Sequence, residues 1–300
     1  MSHPSAERVI VPQSFREQPR WWLDEDGRRW LDDIPRLADL VAARWGLTLT
    51  GEVWHGSNAI VIAAERGGHR LALRLSPPGD DVEAEVGALR LWSGRGTVAL
   101  EDWNVDLRAL LLERLDGSRT LAEESVDSAA DVIGAMTRRL AVPVPSSVRS
   151  TSSIAHAHAV SFETEWERLG RPAPRTILDT AVRRAERLAG SGGAFAVNGD
   201  LHDGQFLRGG VTEWTVVDPL LLRGDPEYDL ARLLWSRFDE STDVATIRAT
   251  IDRLVDAAGV PAPRAHDWIA VRSMSYLLWG VEHGLTIDPP RCLHILETVA

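Results

Sequence analysis

The chain contains no lysine, so all 33 of its basic residues, in a length of 300, are arginines. This absence excludes a phosphate-binding loop of the G-K-[ST] type and any Schiff-base chemistry on a lysine amine. A side-chain cation offered to a phosphate must here be a guanidinium. Cysteine is nearly absent too: Cys292 stands alone, which excludes an internal disulfide and fits a reducing compartment. No activating partner stands near it in sequence, so an inert, buried thiol is expected. Positive charge is in deficit, with 33 basic against 44 acidic residues and a net −11. That balance argues against nucleic acid as a partner, because phosphate backbones need basic surface. An acidic surface favours solubility and attracts cationic small molecules. No apolar run is long enough to span a membrane, and "MSHPSAERVIVPQSFREQPRWW" lacks the basic-then-apolar layout of a signal peptide. A cytoplasmic protein with no membrane partner is the expectation. Phe and Tyr are few, at 5 and 2, whereas Trp reaches 12. Most of these indoles should anchor the core, with Trp235 or Trp279 as candidates to stack on a sugar ring.

What is present divides the chain in two. "RRWLDDIPRLADLVAARWGL" has apolar residues at helical spacing. "LTLTGEVWHG", "NAIVIAAERGG" and "HRLALRLS" follow, joined by short glycine turns, and read as an antiparallel meander. "PPGDDVEAEVGALRLWSGRG" carries helix start and stop signals, and "RALLLERLDGSRT" reads as a strand running into a polar segment. A small β-rich lobe over 1–116 and a mainly helical lobe over 117–300 are expected. Helices are predicted near 121–140, 158–170, 175–189, 227–238, 245–258, 264–284 and 289–299. "VPVPSSVRSTSS" (142–153) reads as a surface loop, and "GSGG" (190–193) as a flexible connector.

The polar stretch "AVNGDLHDGQFLRGG" (196–210) interrupts the helical half, and "EWTVVDP" follows it. Asp200 closes an apolar run, Gln205 comes soon after, and Asp218 ends the next run. A hairpin built on these strands would gather two carboxylates and an amide oxygen around one point. Oxygen ligands of that kind suit Mg²⁺ and leave positions open for phosphate oxygens. An Asp, a nearby amide and a second Asp closing the next strand match the catalytic and metal loops of kinases. Of the other polar residues, His202 fits a structural role around Asp200 or Asp218, and Asp203 an exposed turn. Asp225 before Pro226 fits a helix N-cap. Its alternative is an acceptor pocket for a basic substrate, shared with Asp239 and Glu240.

"NGDLHDGQFL" followed by "VVDPLLLRGDPEYDLARLLW" resembles the aminoglycoside phosphotransferase-like kinases, in the branch of the streptomycin and hydroxyurea phosphotransferases. "EVGALRLWSGRG", "ALLLERLDG" and "SYLLWGVEHGL" extend the likeness over most of the chain from about residue 30. The resemblance implies an α+β, protein-kinase-like bilobal fold and transfer of the γ-phosphoryl group of ATP, with Mg²⁺, to a small-molecule hydroxyl. It makes Asp200 the catalytic base and Gln205 and Asp218 the metal ligands. It places Arg74 on the phosphates with Glu85 as its partner, Ser57 in a flap over them, and the backbone of Glu113 to Leu115 against the adenine. Three positions depart from the family pattern: Asn198 stands where histidine is usual, Gln205 where asparagine is, and Arg74 where lysine is. An aminoglycoside or related antibiotic, a cation among them, is the first acceptor class implied. A host sugar-like metabolite, and a pseudokinase that binds nucleotide without transfer, are the alternatives.

Overall fold

The structure, a computed structural model, describes residues 9–210 and 212–300; the first part of the stretch read for a signal peptide lies outside them. The chain divides into two units, one of residues up to Asp116 with Gly209 and Gly210, the other of 117–208 with 212–300.

In the first unit an aromatic cluster forms before the sheet begins. Phe15 of the single turn α1 (Gln13–Arg16) meets Trp21 edge-on at 5.4 Å, and Trp21 packs on Trp30 of α2 (Glu25–Trp45) at 5.8 Å. Asp24 caps α2 by accepting from the Gly27 N–H at 2.8 Å, and Gly46 ends it at φ 64°, where a side chain would be strained. Pro35 lies inside α2 and has no N–H to give the Leu31 carbonyl; Arg16 donates to that carbonyl instead, at 3.3 Å. The face of α2 formed by Trp30, Ile34, Ala38 and Val41 is buried, as the helical spacing requires.

That face packs on a five-stranded antiparallel sheet. Its strands are β1 (Thr48–His55), β2 (Ile60–Arg66), β3 (His69–Leu75) and, after helix α3 (Val82–Trp92), β4 (Leu100–Asn104) and β5 (Ala109–Glu113). They lie in the order β1-β2-β3-β5-β4. Ile60, Ile62 and Ala64 alternate along β2, and Leu71, Leu73 and Leu75 along β3, all into the core shared with α2. Asp81 caps α3 by accepting from the Ala84 N–H at 2.9 Å.

The second unit contains β6 (Asp116–Thr120) from Gly117 on, α4 (Val126–Leu140), α5 (Thr151–Arg168) and α6 (Arg175–Ala189). Four short strands follow: β7 (Phe195–Val197), β8 (Phe206–Arg208), β9 (Trp214–Val216) and β10 (Leu222–Gly224). The chain then runs through α7 (Arg232–Ser236), α8 (Val244–Ala258), α9 (Ala262–Glu282) and α10 (Asp288–Val299).

Several expectations need correction. The strand before Asp200 does not form a hairpin with the strand before Asp218: β7 pairs with β10, and β9 pairs with β8. The surface loop read over 142–153 ends at Ser150, whose hydroxyl accepts from the Ser153 N–H at 3.0 Å and starts α5. The helix expected from 121 begins only after Ser125, which caps the Ser128 N–H at 3.2 Å. The helix expected over 227–238 is a 3-10 segment, Pro226–Leu230, followed by α7. The connector at 190–193 is pinned: Ser191 donates to Asp225 at 2.6 Å, and a Cβ on Gly193 would lie 2.5 Å from the Gly224 carbonyl carbon.

Candidate active site

Where β7 ends, the backbone is held by a carboxylate that the sequence reading missed. Asp229 accepts from the N–H groups of Asn198 and Gly199 at 2.9 and 2.8 Å. Burial pushes its pKa up to about 6, against the pull of the Arg272 guanidinium and of the two N–H donors. Gly199 has φ 83°, and a Cβ there would sit 2.9 Å from Leu222 Cδ1, so the turn requires glycine. The Asn198 side-chain oxygen accepts from the Asp200 N–H at 3.2 Å. The loop is therefore fixed on both sides of the residue that presents Asp200.

The Asp200 carboxylate forms an ion pair with Arg232 of α7. It also opens onto a cavity of about 400 Å³ lined by α5, α7 and α9. His202 accepts from the Gly204 N–H through Nδ1 at 3.2 Å, and burial lowers its pKa, so it shapes the turn as a neutral ring. Asp203 is not an exposed turn residue. It is buried and accepts from Arg237 at 3.0 Å, a partner too distant in sequence to be foreseen.

Gln205 and Asp218 lie on adjoining segments. The Val217 N–H donates to the Gln205 carbonyl at 2.9 Å, and the Gln205 side-chain amide donates to the Asp218 carbonyl at 3.4 Å. That turns the amide oxygen, Oε1, into a buried position with no hydrogen-bond partner. An orphaned buried oxygen is costly unless something else coordinates it. Asp218 has φ 52°, a left-handed conformation uncommon outside glycine, of the sort that functional loops retain. An unpartnered amide oxygen on a segment that adjoins Asp218 makes, with that residue's carboxylate, a hard donor set of the kind that fits Mg²⁺. Among the described residues no group of three His, Cys, Asp or Glu offers another metal centre.

The three acids suggested as a pocket for a basic substrate do not line the Asp200 cavity. Asp225 occupies the N-cap position without capping, because its carboxylate accepts from Ser191 at 2.6 Å and the Trp268 indole at 3.1 Å. Asp239 pairs with Arg291, and Glu240 with Arg237. The cavity wall does include Trp235 and Trp279, together with Tyr228, Arg272 and Tyr276, which the sequence reading did not single out.

The remaining predicted residues belong to the first unit. Arg74 on β3 is buried and donates to Ser76 at 2.6 Å and to Glu85 of α3 at 2.7 Å. Ser57 is exposed in the β1–β2 turn, where Gln18 donates to the Gly56 carbonyl at 3.0 Å. Glu113 uses its own N–H and its carboxylate on the backbone of Ala99, at 3.0 and 2.8 Å, and Leu115 follows half-buried.

Comparison with known proteins places the chain in a family. Residues 44–284 match the family described as aminoglycoside/hydroxyurea antibiotic resistance kinase. The chain is 32% identical to streptomycin 6-kinase of Streptomyces griseus over 99% of each, and 31% identical to hydroxyurea phosphotransferase of Kitasatospora aureofaciens over 97% of this chain and 86% of that one. Among solved structures, a thermostable mutant of an aminoglycoside phosphotransferase in ternary complex with ADP and hygromycin B superposes with a TM-score of 0.58. It covers 87% of this chain and 97% of that one at 13% identity, a likeness of fold alone. The chain thus belongs to the aminoglycoside/hydroxyurea antibiotic resistance kinase family and is a small-molecule phosphotransferase of protein-kinase-like fold.

Proposed function

We propose that this protein transfers the γ-phosphoryl group of ATP directly to a hydroxyl of a small molecule of the antibiotic class, with Asp200 as the general base and Mg²⁺ on Gln205 and Asp218. One observation carries this reading: the orphaned Gln205 oxygen, the left-handed Asp218 and Asp200 at the mouth of a cavity belong to one fixed set of loops. Gln205 Oε1 and the Asp218 carboxylate would hold the metal, and its charge would offset that of the nucleotide phosphates. Asp200 accepts the acceptor's hydroxyl hydrogen and aims the oxygen. As the new O–P bond forms, the bond to the β-phosphate oxygen breaks and ADP leaves, while the proton resides on Asp200. For that step Arg232 must release the carboxylate, and a hydroxyl entering the cavity displaces it. Arg74, braced by Glu85, supplies the cation on the phosphate side, with Ser57 in the flap and the Glu113–Leu115 backbone against the base. Positioning and charge stabilisation account for most of the rate in such transfers.

The names of the relatives support the acceptor class, and the ADP in the fold neighbour supports the nucleotide. Mg²⁺-dependent ADP release with streptomycin, hygromycin B, hydroxyurea and simple sugars, in wild type and Asp200→Ala, tests the reading. Arg74 in place of lysine favours a second one, nucleotide binding without transfer. Equal background rates in both proteins with every acceptor would select it.

A further inference from the structure

Among the described residues that line the cavity in front of Asp200, no second carboxylate stands beside it. Its wall carries one carboxylate and two guanidiniums, Asp200 against Arg232 and Arg272. Arg232 already pairs with Asp200. Arg272 donates to the carbonyls of Gly199 and Tyr228 at 3.3 and 3.2 Å, and its charge is offset by Asp229 beneath the loop. His158, also in the wall, is kept neutral by burial. A polycation entering here would give up its hydration and meet a single carboxylate that two guanidiniums already flank, an unfavourable transfer at any buried site.

Aromatic rings bind cations as well, but the faces of Trp235, Tyr276, Trp279 and Tyr228 already have partners. Trp235 stacks on Tyr276 at 5.1 Å, Tyr276 on Trp279 at 5.6 Å, and Trp279 on His283 at 4.3 Å. Arg272 covers Tyr228 at 4.2 Å. A second cation would meet ring edges, which are the positive part of the aromatic quadrupole, and two guanidiniums nearby. Tyr276 donates its hydroxyl to Asp288 at 3.0 Å and stays protonated, its pKa pushed up to about 12. The wall therefore offers apolar edges and a few neutral polar groups, Ser275 among them.

We propose that the acceptor is an uncharged alcohol with an apolar face, of a size to fill about 400 Å³, and not a polycationic aminoglycoside. This rests on the phosphotransfer reading of Asp200 and narrows it within the same site. Two measurements keep the two claims apart. Titration of tryptophan fluorescence in the wild-type protein compares a neutral probe, phenyl β-glucoside, with the cationic streptomycin, whether or not either is turned over. The neutral probe is expected to bind at least tenfold more tightly at physiological ionic strength. Ser275→Asp, which adds a carboxylate to the wall without touching Asp200, is expected to move that ratio at least tenfold toward streptomycin. Tighter binding of streptomycin by the wild type, binding of neither probe, or an unchanged ratio in Ser275→Asp overturns the proposal. Absence of ADP release with every acceptor, alongside the expected binding ratio, overturns phosphotransfer and leaves the charge preference standing.

Discussion

The side-chain amide of Gln205 donates to the backbone carbonyl of Asp218 at 3.4 Å, leaving its own oxygen buried and unpartnered. That arrangement separates a metal ligand from a structural glutamine. Replacing the amide by Gln205→Met removes an oxygen that supports nothing in the protein and one long hydrogen bond. Stability should change by no more than about 1 kcal/mol. The Mg²⁺ concentration for half-maximal activity should rise at least tenfold. Urea unfolding and a metal titration of ADP release check the two halves; a large stability loss with an unaltered metal requirement would make Gln205 structural.

Asp200→Asn keeps the shape of the loop and removes the carboxylate proposed to accept the proton. The turnover number should fall about 10²- to 10⁴-fold, the usual contribution of a positioned general base, with the Michaelis constant for ATP little altered. Steady-state kinetics at saturating acceptor make the measurement. A loss confined to the Michaelis constant would move Asp200 from chemistry to binding.

Buried Arg74 and half-buried Glu85 pair at 2.7 Å. Arg74→Ala strips a half-buried carboxylate of this partner and should cost about 1–3 kcal/mol of stability as well as most of the activity. Arg74→Lys should keep the ion pair and hold or raise turnover. Unaltered kinetics in the alanine variant would take Arg74 out of the phosphate site.

Asp229 gives a pH signature. Its pKa in the folded chain is raised from 3.8 to about 6, so the native state binds its proton more tightly than the unfolded chain. Its contribution to stability is therefore greatest below about pH 4, falls as pH rises toward about 6, and is level beyond. Measured by urea unfolding, wild type should lose stability relative to Asp229→Asn across that window. A constant difference between the two proteins from pH 4 to 7 would show that Asp229 does not titrate there.

The sequence reading succeeded where the determinants are local. The period of Leu178, Ala181, Ala185 and Leu188 makes the helix over 175–189 legible, and glycine turns between short apolar runs make the meander legible. It failed where a partner lies far along the chain. Nothing near Asp203 points to Arg237, and nothing near Asn198 points to Asp229 or onward to Arg272. Pairing of β7 with β10 was hidden for the same reason, because three-residue strands carry too few side chains to specify a neighbour. Serine and threonine at 150–153 suggested a loop, yet serine at that position begins a helix. For the site, the motif around Asp200, Gln205 and Asp218 was visible. The groups that brace it, and the rings and guanidiniums facing it, depend on tertiary contacts.

The fully buried Cys292 has its thiol pushed well above the ordinary range by burial, so the thiolate that reacts with maleimides scarcely forms. As the chain has no second cysteine, a Trp279→Cys variant carries a single reactive position at the rim of the Asp200 cavity. A fluorophore attached there would report acceptor entry in real time, with no background labelling to subtract.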